Sequence, residues 1–111
     1  MEFDSNKPIY LQISDRLCER ILSGDLKPED RILSVRELGA EIGVNPNTVA
    51  RSYDELTDRG VIFQKRGIGF FVCEDAKEAI LKTEKQKFIT EELPEFLKRA
   101  NLLGINLKEL I

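Results

Sequence analysis

Apolar positions repeat along this chain with helical spacing in four stretches. After Pro8, residues Ile9, Ile13, Leu17 and Ile21 fall four apart, flanked by Tyr10 and Leu22, and Gly24 stands where such a helix would be capped. The segment from Asp25 to Asp30 is turn-rich. Ser34 and Glu37 then form a capping-box pair ahead of Val35, Leu38 and Ile42, which predicts a short second helix ending at Gly43. Val44 alone separates that stop from Asn45, a good N-cap. Pro46 follows, tolerated at the first helical position because its missing N–H would have no intrahelical partner. Val49, Tyr53 and Leu56 supply the apolar face of this third helix, and Gly60 closes it.

The periodicity then changes. Residues 61–66 and 68–73 are β-rich runs joined at Gly67 and Gly69, which predicts a hairpin. From Glu74 onward Lys, Glu, Leu, Ile and Ala dominate, and helical spacing returns at Ile89, Leu93, Phe96, Leu97 and Ala100. Pro94 should kink or split that helix, and Asn106 and Glu109 suit a last capped turn after Gly104. The expected fold is therefore mainly α with a small β-hairpin wing: a winged helix-turn-helix over residues 1–75 and a helical tail over 76–111.

Composition narrows the function. With 41% hydrophobic and 33% charged residues in 111, the chain can build one modest core and is not a disordered polymer. It contains no histidine, which removes His-based triads and His-ligated metal. Cys18 and Cys73 stand far apart in apolar surroundings, as small buried hydrophobes do in a reducing compartment. No nucleophile has a base partner, and Glu91-Glu92 fits a solvated helix face, so an enzyme is not expected. No cofactor is implied. No uncharged run reaches membrane-spanning length and the N-terminus has no signal-like pattern, so a cytoplasmic protein is expected.

The net charge of −3 opposes nucleic-acid binding until its distribution is considered. From Val44 to Tyr53 the only charged residue is Arg51, whereas Asp54, Glu55 and Asp58 crowd the far end of the third helix. A helix entering the major groove by its N-terminal end needs donors there and tolerates acids where it leaves the duplex. On a helical wheel Asn47 and Arg51 lie opposite Val49, Tyr53 and Leu56, with Thr48 nearby. Lys65 and Arg66 sit beside the Gly67-Ile68-Gly69 turn, placed to approach a phosphate backbone. Each feature has a plainer reading as packing or solvated surface, and an alternative function is a winged-helix protein-interaction module that does not bind specific DNA.

Taken together, Gly24 to Pro28, Leu33 to Leu38, Gly43 to Val49, and Gly60 to Ile62 with Gly67 to Val72 closely resemble the winged helix-turn-helix of GntR-family bacterial regulators. The Asn45-Pro46-Asn47-Thr48-Val49 block with a short tail is most similar to the YtrA subfamily. The resemblance implies a dimeric repressor of a transporter-type operon, with DNA contacts at Arg36, Asn45, Thr48 and Gly67. Ser34, Asn47, Arg51, Lys65, Arg66 and Gly69 complete the expected DNA-binding set. Many family members carry arginine where this chain has Pro46 and Ala50, which shifts the reading task toward Arg51 and Asn47. Leu33 replaces a common proline, Glu29 a common glycine and Phe70 a common threonine.

One recognition helix spans only a few base pairs, so selecting an operator calls for two copies and a palindromic site. The expected dimerisation surface is Ile80, Leu81, Phe88, Ile89, Leu93, Phe96, Leu97 and Leu103, more apolar area than a thin helical tail buries by itself; packing of this stripe against the first helix is the other reading. The partners are then double-stranded DNA and a second copy of the chain, with no membrane. Any small-molecule effector would have to bind between tail helices or at the dimer interface.

Overall fold

A computed structural model describes residues 2–111. The chain divides into two compact units, one ending at Ile80 and the other covering Leu81–Ile111. The first contains α1 (Ile9–Leu22), β1 (Arg31–Ile32), α2 (Val35–Ile42), α3 (Pro46–Asp58), β2 (Ile62–Lys65), β3 (Gly69–Val72) and the start of α4 (Ala76–Lys87). A π-helical turn (Phe88–Glu92), α5 (Leu93–Leu102) and α6 (Leu107–Leu110) follow.

The core of the first unit forms where the apolar faces of α1 and α3 meet the inner face of the sheet. Ile13, Leu17 and Ile21 from α1 join Val49, Tyr53 and Leu56 from α3, with Ile32, Val61, Ile62 and Val72 closing the cluster. Helix α2 contributes Val35, Leu38 and Ile42 at the margin of the same cluster. Ile9, at the open end of the α1 stripe, is exposed and takes no part in it.

The hairpin belongs to a three-stranded antiparallel sheet of order β1-β3-β2. Pairing Ile62 with Val72, Phe63 with Phe71 and Lys65 with Gly69 fixes the register of the wing. The short β1 adds Arg31 opposite Phe71 and Ile32 opposite Phe70. Directly opposed residues share a face, so Ile32, Ile62, Phe70 and Val72 look inward while Arg31, Phe63, Lys65 and Phe71 look outward. The Phe70 ring meets Tyr53 edge-on at 4.9 Å, and Phe63 stacks on Phe71 at 5.7 Å on the outer face.

The first unit extends past the composition change at residue 75 because α4 opens on core residues. Ala76 and Ile80 are buried with the α1 and α3 cluster, and Ala79 packs at its edge. This corrects the expectation for Ile80: its side chain is fully buried in the first unit and offers no surface to a second copy.

In the second unit, Pro94 has the effect its chemistry requires. Proline lacks an N–H and its ring collides with the carbonyl four residues back in a regular helix. The preceding turn widens to the π form, in which the Leu93 N–H donates to the Phe88 carbonyl, and α5 begins there. Ala100 is buried in this unit, whereas Leu81, Phe88, Ile89, Phe96, Leu97, Leu102 and Leu103 are exposed. Leu93 is half-buried. Asn106 caps α6 by accepting from the Lys108 N–H. Among the described residues no helix is long and apolar enough to cross a membrane.

Candidate nucleic-acid interface

The geometry of α2 and α3 is set by their caps and by the turn between them. Ser34 Oγ accepts from the Glu37 N–H at 3.1 Å while Glu37 Oε1 accepts from the Ser34 N–H at 3.0 Å, completing the capping box. The Ser34 N–H, with its hydroxyl, favours the ionised form and holds the Glu37 carboxyl below its ordinary pKa, with Arg31 adding to the effect. Gly43 ends α2 in the left-handed region at φ 70°, a conformation that a side chain disfavours. Asn45 Oδ1 accepts from the Asn47 N–H at 2.8 Å, so the Asn45 carbonyl serves as the α3 cap and its NH₂ remains the donor end.

With Val49, Tyr53 and Leu56 committed to the core, the first two turns of α3 present Asn47, Thr48 and Arg51 together. These three residues line one shallow depression with Pro8, Ile9 and Tyr10 from the start of α1. Asn47 and Arg51 are exposed and Thr48 is half-buried. Acidic residues lie at the other end of the helix, where Asp54 and Asp58 are exposed and Glu55 pairs with Arg59 at 3.0 Å.

Arg36, in the first turn of α2, is exposed; Ser34 is half-buried and engaged in its cap. At the wing, Ile68 N–H donates to the Lys65 carbonyl at 2.9 Å, closing a tight turn with Arg66, Gly67 and Ile68 exposed at its tip. Lys65 Nζ lies 4.7 Å from the Phe71 ring centroid, so its aliphatic stem crosses the outer face of the sheet. Gly69 forms the base of the turn.

Two side chains absent from the sequence-derived set stand beside these residues. Arg31 crosses Gly69 so closely that a Cβ there would lie 2.9 Å from Arg31 Nε, which brings a third cation to the base of the wing. Its segment, between the turn-rich stretch and the Ser34 cap, carries no predicted element, and the pairing of β1 with β3 brings it there. Tyr10 reads as a flank of the α1 stripe, yet the guanidinium carbon of Arg51 sits 4.1 Å from its ring centroid. Sequence spacing carries no signal for a contact between such distant segments.

Neither cysteine is disulfide-bonded. Burial pushes the Cys73 thiol pKa up and Asp75 adds to it, which disfavours the thiolate. Among the described residues no group of three or more metal-ligating side chains comes together.

A tight helix-turn-helix packed on a third helix, with a β-hairpin carrying basic residues beside it, defines a winged helix-turn-helix protein. The sequence pattern of the bacterial regulatory proteins of the gntR family matches residues 9–72. The chain belongs to the GntR family of transcription regulators. It is 40% identical over 106 residues to the HTH-type transcriptional repressor YtrA of Bacillus subtilis, covering 96% of this chain and 81% of that one. A GntR-family regulator structure from Bacteroides thetaiotaomicron superposes with a TM-score of 0.80 at 48% identity, covering 92% of this chain and 88% of the other. The DNA-binding domain of AraR in complex with operator ORR3 aligns with a TM-score of 0.59 at 27% identity, over 66% of this chain and 86% of that domain.

Proposed function

We propose that this regulator is a cytoplasmic, dimeric repressor that binds a palindromic operator upstream of a transporter-type operon. The observation that carries the DNA reading is the gathering of Asn47, Thr48 and Arg51 on the exposed face of α3, with every carboxylate of that helix beyond them. Donor-bearing side chains at the entering end of a recognition helix suit the base edges of the major groove. Arg36, Asn45 and Ser34 would add contacts from α2 and the turn, and Lys65, Arg66, Gly67 and Gly69 would meet the backbone or minor groove from the wing. The name of YtrA and the operator-bound AraR domain support the repressor and DNA assignments. The resemblance to the YtrA subfamily supports the transporter-type target.

The dimer rests on the second unit. Its exposed Leu81, Phe88, Ile89, Phe96, Leu97 and Leu103, with the half-buried Leu93, offer apolar area that a two-fold partner would cover. Two recognition helices about 34 to 36 Å apart would then match successive turns of the duplex. A gel shift with DNA from upstream of the protein's own gene, at two salt concentrations, tests the function. Sequence-preferring binding that weakens steeply with salt is expected. Absence of binding at low salt would favour a protein-interaction module instead.

A further inference from the structure

The guanidinium carbon of Arg51 lies over the Tyr10 ring, 4.1 Å from its centroid, in the depression that α3 shares with the start of α1. The backbone beneath this pair is fixed by two buried serines. Ser52, next to Arg51, donates its hydroxyl to the Tyr10 carbonyl at 2.6 Å. The Ser14 hydroxyl lies 3.2 Å from that same carbonyl and 3.4 Å from the Ser52 carbonyl. Both serines are almost wholly buried, so each hydroxyl needs a protein partner, and satisfying them pins the first turn of α1 to the middle of α3. The ring therefore stands at a set place under the arginine.

Contact with a ring face is a cation–π interaction that leaves the guanidinium N–H donors directed away from the ring available for hydrogen bonds. Among the described residues no carboxylate forms an ion pair with Arg51. A guanidinium held over a ring, in no ion pair among the described residues, is prepared for the O6 and N7 acceptors of guanine, which an arginine binds through two parallel hydrogen bonds. Without the ring, a long flexible side chain must be ordered at the moment of binding, at an entropic cost.

We propose that Tyr10 is a positioning residue for base readout: its ring holds Arg51 so that the protein prefers guanine at the base step this arginine faces. The inference rests on the proposed DNA-binding function and adds to it a specificity residue from outside the helix-turn-helix.

The test starts from sequences that the full-length protein enriches from random DNA. Binding to the enriched site and to single base-pair changes in it is then measured for the unaltered protein, Arg51→Ala, Tyr10→Phe, Tyr10→Leu and the double variant Tyr10→Leu with Arg51→Ala, alongside melting temperatures. Arg51→Ala should lose about fivefold or more of its preference at one guanine step, which identifies the step. Tyr10→Leu should lose about two- to fivefold at that same step, with little change elsewhere or in melting temperature. Tyr10→Phe, which keeps the ring, should behave as the unaltered protein, and in the Arg51→Ala background Tyr10→Leu should have no further effect. An equal loss on all sequences, no loss, or a persisting loss in the double variant would reduce Tyr10 to packing and overturn the inference. If Arg51→Ala changes no base preference, the inference falls while DNA binding stands; if no sequence is enriched, the DNA-binding function falls with it.

Discussion

A Cβ on Gly39 would lie 2.6 Å from the carbonyl oxygen of Val44 and 3.5 Å from the Cα of Pro46. Helix α2 thus presents bare backbone to the turn that launches α3, and the Val44 N–H returns a hydrogen bond to the Gly39 carbonyl at 2.9 Å. The obstacle is backbone, which cannot swing aside as a side chain end would. Gly39→Ala should cost about 1–3 kcal/mol through overpacking, partly offset by the ~1 kcal/mol gain in helix propensity. Urea denaturation should show a net loss, and DNA titration a weakening on every sequence as α3 shifts. Equal stability would mean that the turn relaxes freely.

Glu29 holds φ at +68°, the one non-glycine residue in the left-handed region among those described. Its N–H donates to the Val72 carbonyl at 2.8 Å, so the conformation is set by the approach of β1 to β3. A side chain there costs about 1–2 kcal/mol, and glycine would relieve it while adding about 0.5–1 kcal/mol of unfolded-state freedom. Glu29→Gly should raise the urea midpoint, by up to about 1 kcal/mol in stability, with unchanged DNA affinity. A lowered midpoint would show that the Glu29 side chain contributes more than its strain removes.

Tyr53 donates its hydroxyl to the Leu33 carbonyl at 2.5 Å from within the core. Burial, with a contribution from the Glu37 carboxylate, raises its pKa far above the ordinary value. A pKa raised in the folded state means stability is fully present below about pH 10, where the unfolded tyrosine titrates, and falls as pH rises above it. Tyr53→Phe should cost about 0.5–1.5 kcal/mol at neutral pH. Its deficit against the unaltered protein should narrow between pH 9 and 11 in parallel denaturation series. A constant deficit would mean that the phenol ionises equally in both states.

Lys65 and Arg66 are exposed at the wing, and neither is paired with an acid among the described residues. Replacing both with glutamine should weaken binding on all DNA sequences and flatten the logarithmic salt dependence by up to about 2. A loss concentrated at one base pair would instead assign sequence reading to the wing.

Ile80 belongs to the core, whereas Phe96 lies on the proposed dimer surface. Ile80 is fully buried, so Ile80→Asp should destabilise the first unit by about 3 kcal/mol or more, visible as a lowered melting temperature. Phe96 is 59% exposed, and Phe96→Asp should leave melting almost unchanged while light scattering reports a monomer and operator affinity drops. A monomeric unaltered chain at high micromolar concentration would overturn the dimer and leave the exposed stripe without that partner.

The sequence determined the helices of the DNA-binding unit and the turn between α2 and α3, because these are written in local chemistry. Apolar spacing sets the buried face of α1 and α3, Ser34 with Glu37 and Asn45 with Pro46 mark where α2 and α3 begin, and Gly43 marks the stop. The face bearing Asn47, Thr48 and Arg51 follows from the same periodicity. The departure at Glu29, noticed only against the family resemblance, coincides with its positive φ. Tertiary structure decided what depends on distant segments meeting. Two residues of β1 become a strand only by pairing with β3, and that pairing carries Arg31 to the wing. Ile80 sits in a stretch whose composition matches the tail, yet it packs into the core cluster with the apolar residues of α1 and α3. The ring of Tyr10 reaches Arg51 because Ser14 and Ser52 lock α1 onto α3. Periodicity and capping act over one or two helical turns, whereas these contacts depend on how whole elements pack in three dimensions.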